Sequence, residues 1–154
     1  MPQPEQTRPE LPAGAVRKGE RWTVTVTPSD GAEQGAPARL DAVVADSAPT
    51  APEVVLTPAT AKTGDEIRAV IRREATDVDG DKLRYRYRFL VEGTALNFED
   101  SVDRLPPLTV AKKRTLTVEV QADDGEQLGP TARASLTLVN TPPQAPEALL
   151  LPTR

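Results

Sequence analysis

Two stretches of this sequence align with each other without a gap. Residues 11–58 and residues 105–152 match at an offset of 94, with the same amino acid at 18 of the 48 positions. This period is too long for a solenoid repeat of roughly 20–50 residues, but it suits a whole small β-domain strung in tandem. We therefore expect the chain to be part of a repeat array in which each unit has its own core.

The repeat also predicts how the chain is divided. Proline-rich strings at residues 48–52 and 141–146 stand at equivalent positions, one period apart. Because proline fixes its own φ and pushes the preceding residue toward extended conformations, these strings predict semi-rigid linkers. We expect residues 1–48 to be the second half of a preceding unit with its linker, residues 49–145 a complete unit, and residues 146–154 the start of a following one.

The composition excludes several classes of function. The chain has no cysteine and no histidine among its 154 residues, which removes disulfides, the usual zinc sites and every histidine-based catalytic triad. A net charge of −4 argues against a nucleic-acid partner, which requires a positive surface. The sequence contains no nucleophile-elbow pattern and no phosphate-binding glycine loop. We therefore expect a protein that is not an enzyme.

Targeting signals are also missing from the chain as given. The first ten residues lack the apolar core of a signal peptide, and no run approaches 18 apolar residues. No membrane insertion is expected. Since Met1 aligns with the middle of a unit, the chain has the pattern of a fragment whose export signal would lie elsewhere.

Apolar and polar residues alternate between the linkers, which is the pattern of half-buried strands. The clearest strand spans residues 82–91, where tyrosines, Phe89 and aliphatic residues occupy one face and three arginines occupy the other. Further strands are predicted at residues 53–57, 66–72, 95–98, 108–110, 116–123 and 133–138. About seven strands in one unit predict an all-β fold, an immunoglobulin-like β-sandwich.

The first half-unit repeats only the last two of these strands. Its inward positions are Trp22, Val24 and Val26 in one strand and Leu40, Ala42 and Val44 in the other. They correspond to inward positions of the complete unit, yet no partner sheet for them follows in the chain. Because a lone two-stranded hairpin is marginal in water, we expect residues 1–47 to be the least stable part of the protein.

Three alternating carboxylates form the sharpest motif. Asp77, Asp79 and Asp81 surround Gly80 in the predicted loop after the second strand of the complete unit. Calcium takes six to eight oxygen ligands, and alternating aspartates at a glycine turn can supply several of them. The spacing lacks the glycine and glutamate of an EF-hand loop. A tight turn in which aspartates accept backbone N–H groups explains the motif equally well. Both interpretations stay open, with Glu74 as a further candidate ligand.

Two other patterns have simpler explanations. Asp30-Gly31 and Asp124-Gly125 each follow a predicted strand and indicate hairpin turns. The alternating arginines and aromatic residues at 84–89 resemble a single-strand nucleic-acid platform, but a β-strand sends the two residue types to opposite faces. We expect inward rings and outward arginines paired with Glu119 and Asp123 of an adjacent strand.

Four motifs of the chain are together similar to a known group of domains. They are the aspartate motif, the Leu83-x-Tyr85-x-Tyr87 run after it, the Thr-Val-x-Val strand at residues 117–120 and the Asp124-Gly125 turn. They resemble bacterial immunoglobulin-like tandem repeats related to polycystic-kidney-disease, cadherin-like and fibronectin type III domains. The resemblance covers residues 49–145 as a whole unit and residues 11–48 as half of one.

The resemblance implies a module of a secreted or cell-surface bacterial protein, and calcium held by Asp77, Asp79 and Asp81 as in cadherin-like members. The acidic linker of cadherins is absent, since Asn140 leads directly into prolines, so proline stiffening is the better-supported mechanism at the linkers.

Two functions follow as hypotheses. The first is a structural or adhesive spacer of an extracellular multi-repeat protein, with neighbouring repeat units as its partners and with or without calcium as a stiffening cofactor. The alternative is an accessory domain beside a secreted enzyme that binds a glycan or protein ligand through the loop at residues 97–103.

Overall fold

The computed structural model describes residues 10–146. This part of the chain contains nine β-strands and no helix, and none of it could cross a membrane as a helix. The strands are β1 (Arg21–Val26), β2 (Ala38–Val43), β3 (Glu53–Thr57), β4 (Ile67–Arg73), β5 (Arg84–Val91), β6 (Thr94–Ala95), β7 (Arg104–Leu105), β8 (Thr115–Asp123) and β9 (Ala132–Thr137).

Strands β3 to β9 form two antiparallel sheets around one core. One sheet has the order β3-β4-β7 and the other the order β6-β5-β8-β9. Buried side chains of both sheets belong to a single cluster, in which Val54, Ile67 and Leu105 of the first sheet meet Phe89 and Leu116 of the second. Strands β3 to β9 together form an immunoglobulin-like β-sandwich of seven strands, the fold that the alternation predicted.

Strand β8 is the centre of this core. It pairs with β5 on one side and with β9 on the other, so its backbone groups are satisfied and its inward face is sealed. Leu116, Val118, Val120 and Ala122 are all 0% exposed, while the residues between them are partly exposed. Each fully buried valine or leucine contributes about 1.5–3 kcal/mol, so β8 contributes strongly to the stability of the sandwich.

Strands β1 and β2 form a separate hairpin whose backbone copies that of β8 and β9. Val24 pairs with Leu40 in the first hairpin, and at the offset of 94 Val118 pairs with Ala134 in the second. All six residue pairs between β1 and β2 have their equivalents between β8 and β9. The sequence repeat is therefore a repeat of backbone structure, register included.

The loops around the two hairpins repeat the same hydrogen bonds. Gly35 N–H donates to Pro28 O at 2.8 Å, and the equivalent Gly129 N–H donates to Ala122 O at 2.8 Å. At the other end, Gly19 N–H donates to Val44 O at 2.9 Å, as Lys113 N–H donates to Leu138 O at 2.8 Å. The local chain path is thus the same in both copies, although the two differ at most positions of their sequence.

What differs is the cover over the inward face. Val24, Val26 and Leu40 are 53%, 62% and 69% exposed, whereas Val118 and Val120 are 0% exposed. Within the described residues, β1 and β2 pair only with each other, so nothing plays the part of β5 or of the opposite sheet. The lower stability predicted for this part of the chain stays a prediction, and this exposure is its physical basis.

Two of the strand predictions were wrong in position. No strand forms at residues 108–110; the short β7 at Arg104–Leu105 pairs with β4 instead. Pro106 and Pro107 follow it directly and have no N–H to donate to a sheet, which ends the strand. Leu108 lies beyond them with φ +67° and is 76% exposed.

The strand predicted at residues 95–98 is instead the two-residue β6, which closes a hairpin with β5. Glu92 and Gly93 have φ +50° and +80° and connect Val91 to its partner Thr94. Positive φ at both central residues is the geometry of a tight hairpin turn. The pair Glu92-Gly93 is a weak sequence signal for such a turn, and the predicted strand was therefore placed after it.

Candidate functional site

The linker between the hairpin and the sandwich lies packed against the loops of the sandwich. Thr50 N–H donates to Thr76 O at 2.8 Å, and Thr76 N–H donates to the Thr50 hydroxyl at 2.8 Å. Pro49 is fully buried, and its carbonyl lies so close to Gly129 that a Cβ there would be 2.6 Å from the oxygen. We call this region the junction: residues 45–50, the loop at 74–83 and the turn at 124–129.

Asp77 organises the loop of the junction. Its Oδ1 accepts hydrogen bonds from Asp79 N–H at 2.8 Å and Asp81 N–H at 3.2 Å, and Gly80 takes φ +80° between them. This is the tight turn that aspartates stabilise by accepting nearby backbone amides. The other oxygen, Oδ2, is buried and has no hydrogen-bond partner.

Asp79 and Asp81 contact the part of the chain that precedes the sandwich. Asp79 Oδ2 accepts a hydrogen bond from Ser47 N–H at 2.9 Å, and Asp81 Oδ2 lies 2.8 Å from Lys18 Nζ. The three residues predicted as metal ligands are therefore close in the chain but differ in role. Asp77 shapes the loop, while Asp79 and Asp81 attach the linker and the hairpin to it.

Lys18 is the centre of an ion-pair network at the junction. Its Nζ lies 2.8 Å from Asp46 Oδ1, 2.8 Å from Asp81 Oδ2 and 2.7 Å from Glu126 Oε1. These carboxylates, Asp46 first, raise the pKa of Lys18 above its usual value, and Lys18 in turn lowers the pKa of Asp46. Gln127 Nε2 adds bonds to Asp46 O at 2.8 Å and to Asp46 Oδ2 at 3.0 Å.

Sequence reasoning missed this network. One signal was present, because Lys18 and Lys112 are among the 18 positions that are identical at the offset of 94. The partners of Lys18 gave no such signal, since Glu126 lies opposite Ala32 in the alignment and Asp81 belongs to the half that the chain contains once. The network depends on how the hairpin is placed on the sandwich, which a local pattern does not encode.

The residues at the junction fit a metal ion in part. Glu74, Asp77 and Asp81 line a shallow depression together with Tyr85, and the orphaned Oδ2 of Asp77 is an oxygen that a cation could take. Calcium requires six to eight oxygens around one point, and the described residues include no group of three acidic side chains placed to hold an ion. Calcium binding by Asp77, Asp79 and Asp81 stays a prediction.

The two Asp-Gly motifs are hairpin turns, as predicted. Asp124 Oδ1 accepts hydrogen bonds from Glu126 N–H at 2.7 Å and Gln127 N–H at 2.6 Å. Asp30 Oδ1 accepts the equivalent bonds from Ala32 N–H at 2.9 Å and Glu33 N–H at 2.8 Å. These backbone donors hold the pKa of Asp30 below its usual value.

The basic and aromatic residues of β5 separate onto opposite faces, as predicted. On the outer face, Arg86 Nη2 lies 2.6 Å from Asp123 Oδ2, and Arg88 lies 4.0 Å from Glu119. On the inner face, the Tyr85 hydroxyl accepts a hydrogen bond from Ala75 N–H at 2.9 Å. The strand therefore presents no combined platform of rings and charges on which nucleic-acid bases would stack.

The loop proposed for ligand binding, residues 97–103, is fixed at two points. Tyr87 N–H of β5 donates to Asp100 O at 2.6 Å, and Ala69 N–H of β4 donates to Asp103 O at 2.7 Å. The loop thus bridges the edges of the two sheets. Phe98 remains 41% exposed on it.

Comparison with known proteins supports the fold and goes no further. No family model matches the chain, and none of the curated proteins matches it. Among solved structures, domains d3–d4 of the extracellular region of rat CD45 are similar, with a TM-score of 0.51 and 13% identity over 89% of this chain and 78% of that one. The chain therefore has the all-β, immunoglobulin-like sandwich fold.

Proposed function

We propose that the chain is a structural spacer in an extracellular or cell-surface array of immunoglobulin-like units, and that it acts by length and rigidity. The observation that carries the proposal is the packed linker. Pro49 is buried and Thr50 is hydrogen-bonded to Thr76, so the connection is a docked segment with little freedom to bend. The similarity to two consecutive domains of the extracellular region of rat CD45 is in keeping with such a role.

The proposed organisation of the array follows from the offset of 94. Residues 1–48 are the second half of a preceding unit, residues 49–145 a complete unit, and residues 146–154 the start of a following unit. The first and last parts extend into residues 1–9 and 147–154, which lie outside the described residues. The equal registers of the two hairpins and the uncovered face of the first support this division.

Rigidity can be measured by amide ¹⁵N relaxation. If the spacer proposal is right, amides of β1 and of β8 tumble with one shared rotational diffusion tensor, because the hairpin and the sandwich move as one body. Independent, faster tumbling of the β1 amides would overturn the proposal. Relaxation of the linker amides gives an internal control, since docked residues such as Thr50 should be as ordered as the strands.

The division into units can be tested by completing the first one. Residues 49–104 fused directly before residue 11 supply what the repeat lacks, because residue 105 is equivalent to residue 11. We expect the emission of Trp22, the chain's one tryptophan, to shift to the blue as its face is covered. An unchanged spectrum together with unprotected β1 amides would contradict the division. Trp22 replaces the smaller Leu116, so a Trp22→Leu version read by amide exchange guards against overpacking.

Calcium is proposed as an optional stiffening cofactor at Asp77, Asp79 and Asp81, supported by the orphaned Oδ2 of Asp77. Thermal melting with and without calcium tests it. Replacing all three aspartates by alanine also removes the contacts to Ser47 and Lys18, so Asp77→Asn is the sharper variant. We expect calcium to raise the melting temperature of the native chain and to leave Asp77→Asn unchanged. No effect on either protein ends the calcium proposal.

A second function is supported by one observation. The loop at residues 97–103 is anchored to both sheets and presents the exposed ring of Phe98, and a rigid aromatic side chain beside polar groups is typical of ligand sites. We propose it as a glycan or protein contact, and glycan-array binding of the native chain against Phe98→Ala tests the glycan case. If glycan binding is retained in Phe98→Ala, the ligand site lies elsewhere on the protein. If the native chain binds no glycan, the glycan-binding proposal is wrong.

A further inference from the structure

We propose that Lys18 is the built-in cation of the junction, which locks the first hairpin onto the sandwich so that the protein's own ammonium group fixes the angle between consecutive units. This inference rests on the proposed spacer function and names the residue that supplies the rigidity. It is separate from the calcium proposal, because the positive charge belongs to the chain.

The ammonium group of Lys18 lies within ion-pair distance of three carboxylates, at 2.7 to 2.8 Å from one oxygen of each. It donates a hydrogen bond to Asp81 Oδ2 and attracts Asp46 and Glu126 as ion pairs. The partners come from three different segments, since Asp46 belongs to the linker, Asp81 to the loop before β5 and Glu126 to the turn after β8. One side chain thus ties the hairpin to every segment of the junction.

Burial separates this network from an ordinary surface ion pair. The Asp46 side chain is 7% exposed, those of Lys18 and Asp81 are 27% and 33% exposed, and only Glu126 is mostly exposed, at 59%. Isolated exposed pairs contribute little, whereas networks with fixed geometry contribute more. Without Lys18, the nearly buried Asp46 would lose its counter-charge. An unpaired carboxylate at a buried position is unfavourable, so Asp46 would become hydrated or move away from the sandwich.

The docked linker does not by itself set the angle of the hairpin. Ser47 and Thr50 are bonded to the sandwich through Asp79 and Thr76, but these contacts end at the linker. The hairpin strands lie beyond residue 45 along the chain. Gln127 also holds Asp46, and Val44 is bonded to Gly19 and Glu20 of the hairpin side. The bridge from Lys18 to Asp81 and Glu126 adds a second connection from the hairpin side directly to the sandwich, and it restricts the rotation about the chain at residue 45.

The repeat places a second lysine in the same position at the far end of the sandwich. Lys112 is equivalent to Lys18, and the backbone bonds of the neighbouring residues are the same in both copies. Asn140 stands where Asp46 would be, so a following unit would be held through Lys112 with one carboxylate fewer. Lys112 is exposed in this chain, which makes it the matched control.

The test uses the full chain, whose lack of cysteine allows two spin labels to be added at chosen sites. Cysteines at Thr25 in β1 and Arg72 in β4, both exposed, report the placement of the hairpin on the sandwich through the label-to-label distance distribution. We compare the native lysines with Lys18→Met, which keeps the aliphatic stem without the charge, and with Lys112→Met.

The expected result is a narrow distribution for the parent chain and for Lys112→Met, and loss of that narrow peak for Lys18→Met. An unchanged melting temperature of the Lys18→Met sandwich shows that folding is intact. A narrow peak in Lys18→Met overturns the role of Lys18, as does broadening of the parent chain by a chelator, which would mean that a metal holds the junction. A broad distribution in the parent chain itself means that the spacer proposal has failed.

Discussion

Val24 and Val118 are the same position in two copies of one hairpin, and they differ in one respect: Val24 is 53% exposed and Val118 is 0% exposed. Changing each to alanine therefore compares one side-chain truncation in two environments. Val118 lies between Phe89 of β5 and Ala134 of β9, while Val24 has only Leu40 beside it in its sheet.

The expected magnitudes follow from burial. Truncating Val118 removes about two CH₂ equivalents from the core, which costs about 1.6 kcal/mol in transfer free energy. The cavity left in a well-packed core brings the total to roughly 2–3 kcal/mol. Truncating Val24 removes groups that already contact water, so its effect stays within about 0.5 kcal/mol. For a domain of this size the Val118 change lowers the melting temperature by roughly 8–24 °C.

Urea unfolding followed by far-ultraviolet circular dichroism measures both variants against the parent chain. We expect Val118→Ala to lower the midpoint without changing the slope of the free energy of unfolding against urea, since the unfolded surface is unchanged. Equal losses in the two variants would refute the reasoning, because they would mean that the first hairpin is covered as the second one is.

Three further predictions test other parts of the structure. Gly129→Ala places a Cβ 2.6 Å from Pro49 O and should destabilise the chain by about 1–3 kcal/mol in urea unfolding, whereas Gly64→Ala, with open space around it, should not. Tyr85→Phe leaves the N–H of the buried Ala75 without its acceptor and should cost about 1–2 kcal/mol; an unchanged midpoint rules that bond out as a stabilising one. The Gly125 N–H, followed by Arg86, lowers the pKa of Asp123, so its stabilisation is complete above the unfolded value of about 4 and is lost as the pH falls through the lower folded value. Melting curves from pH 7 downward should show a shallower acid loss for Asp123→Asn than for the parent chain, and identical pH profiles would contradict this.

The sandwich was largely predictable because its main strands are governed by local alternation. In β5 and β8, the period of two fixes which side chains face inward, and the structure buries Phe89, Val118 and Val120 as that pattern requires. Prediction failed at residues 108–110, where the apolar character of Leu108 and Val110 suggested a strand. Pro106 and Pro107, directly before these residues, lack the N–H groups that a strand donates to its neighbour. Their missing hydrogen bonds decide against a strand despite the apolar side chains that follow.

The candidate site was predictable only within a single loop. The turn around Asp77 is formed by residues that are neighbours in the sequence, and aspartate and glycine are residue types that predict such a turn. The pairing of Lys18 with Asp81 joins residues 63 apart across two elements whose relative placement depends on the linker. Such a contact arises from the packing of whole segments, so it cannot be predicted from residue types at short spacing in the sequence.

The central claim is that the chain holds one complete sandwich and one structurally equal but uncovered hairpin. Hydrogen exchange of the backbone amides in the isolated monomer tests it most directly, because it reports the opening free energy of each strand. We predict that the hydrogen-bonded amides of β8 exchange only through global unfolding, while the equivalent amides of β1 exchange far faster. Equal, strong protection of Val24 and Val26 alongside Val118 and Val120 would contradict the claim.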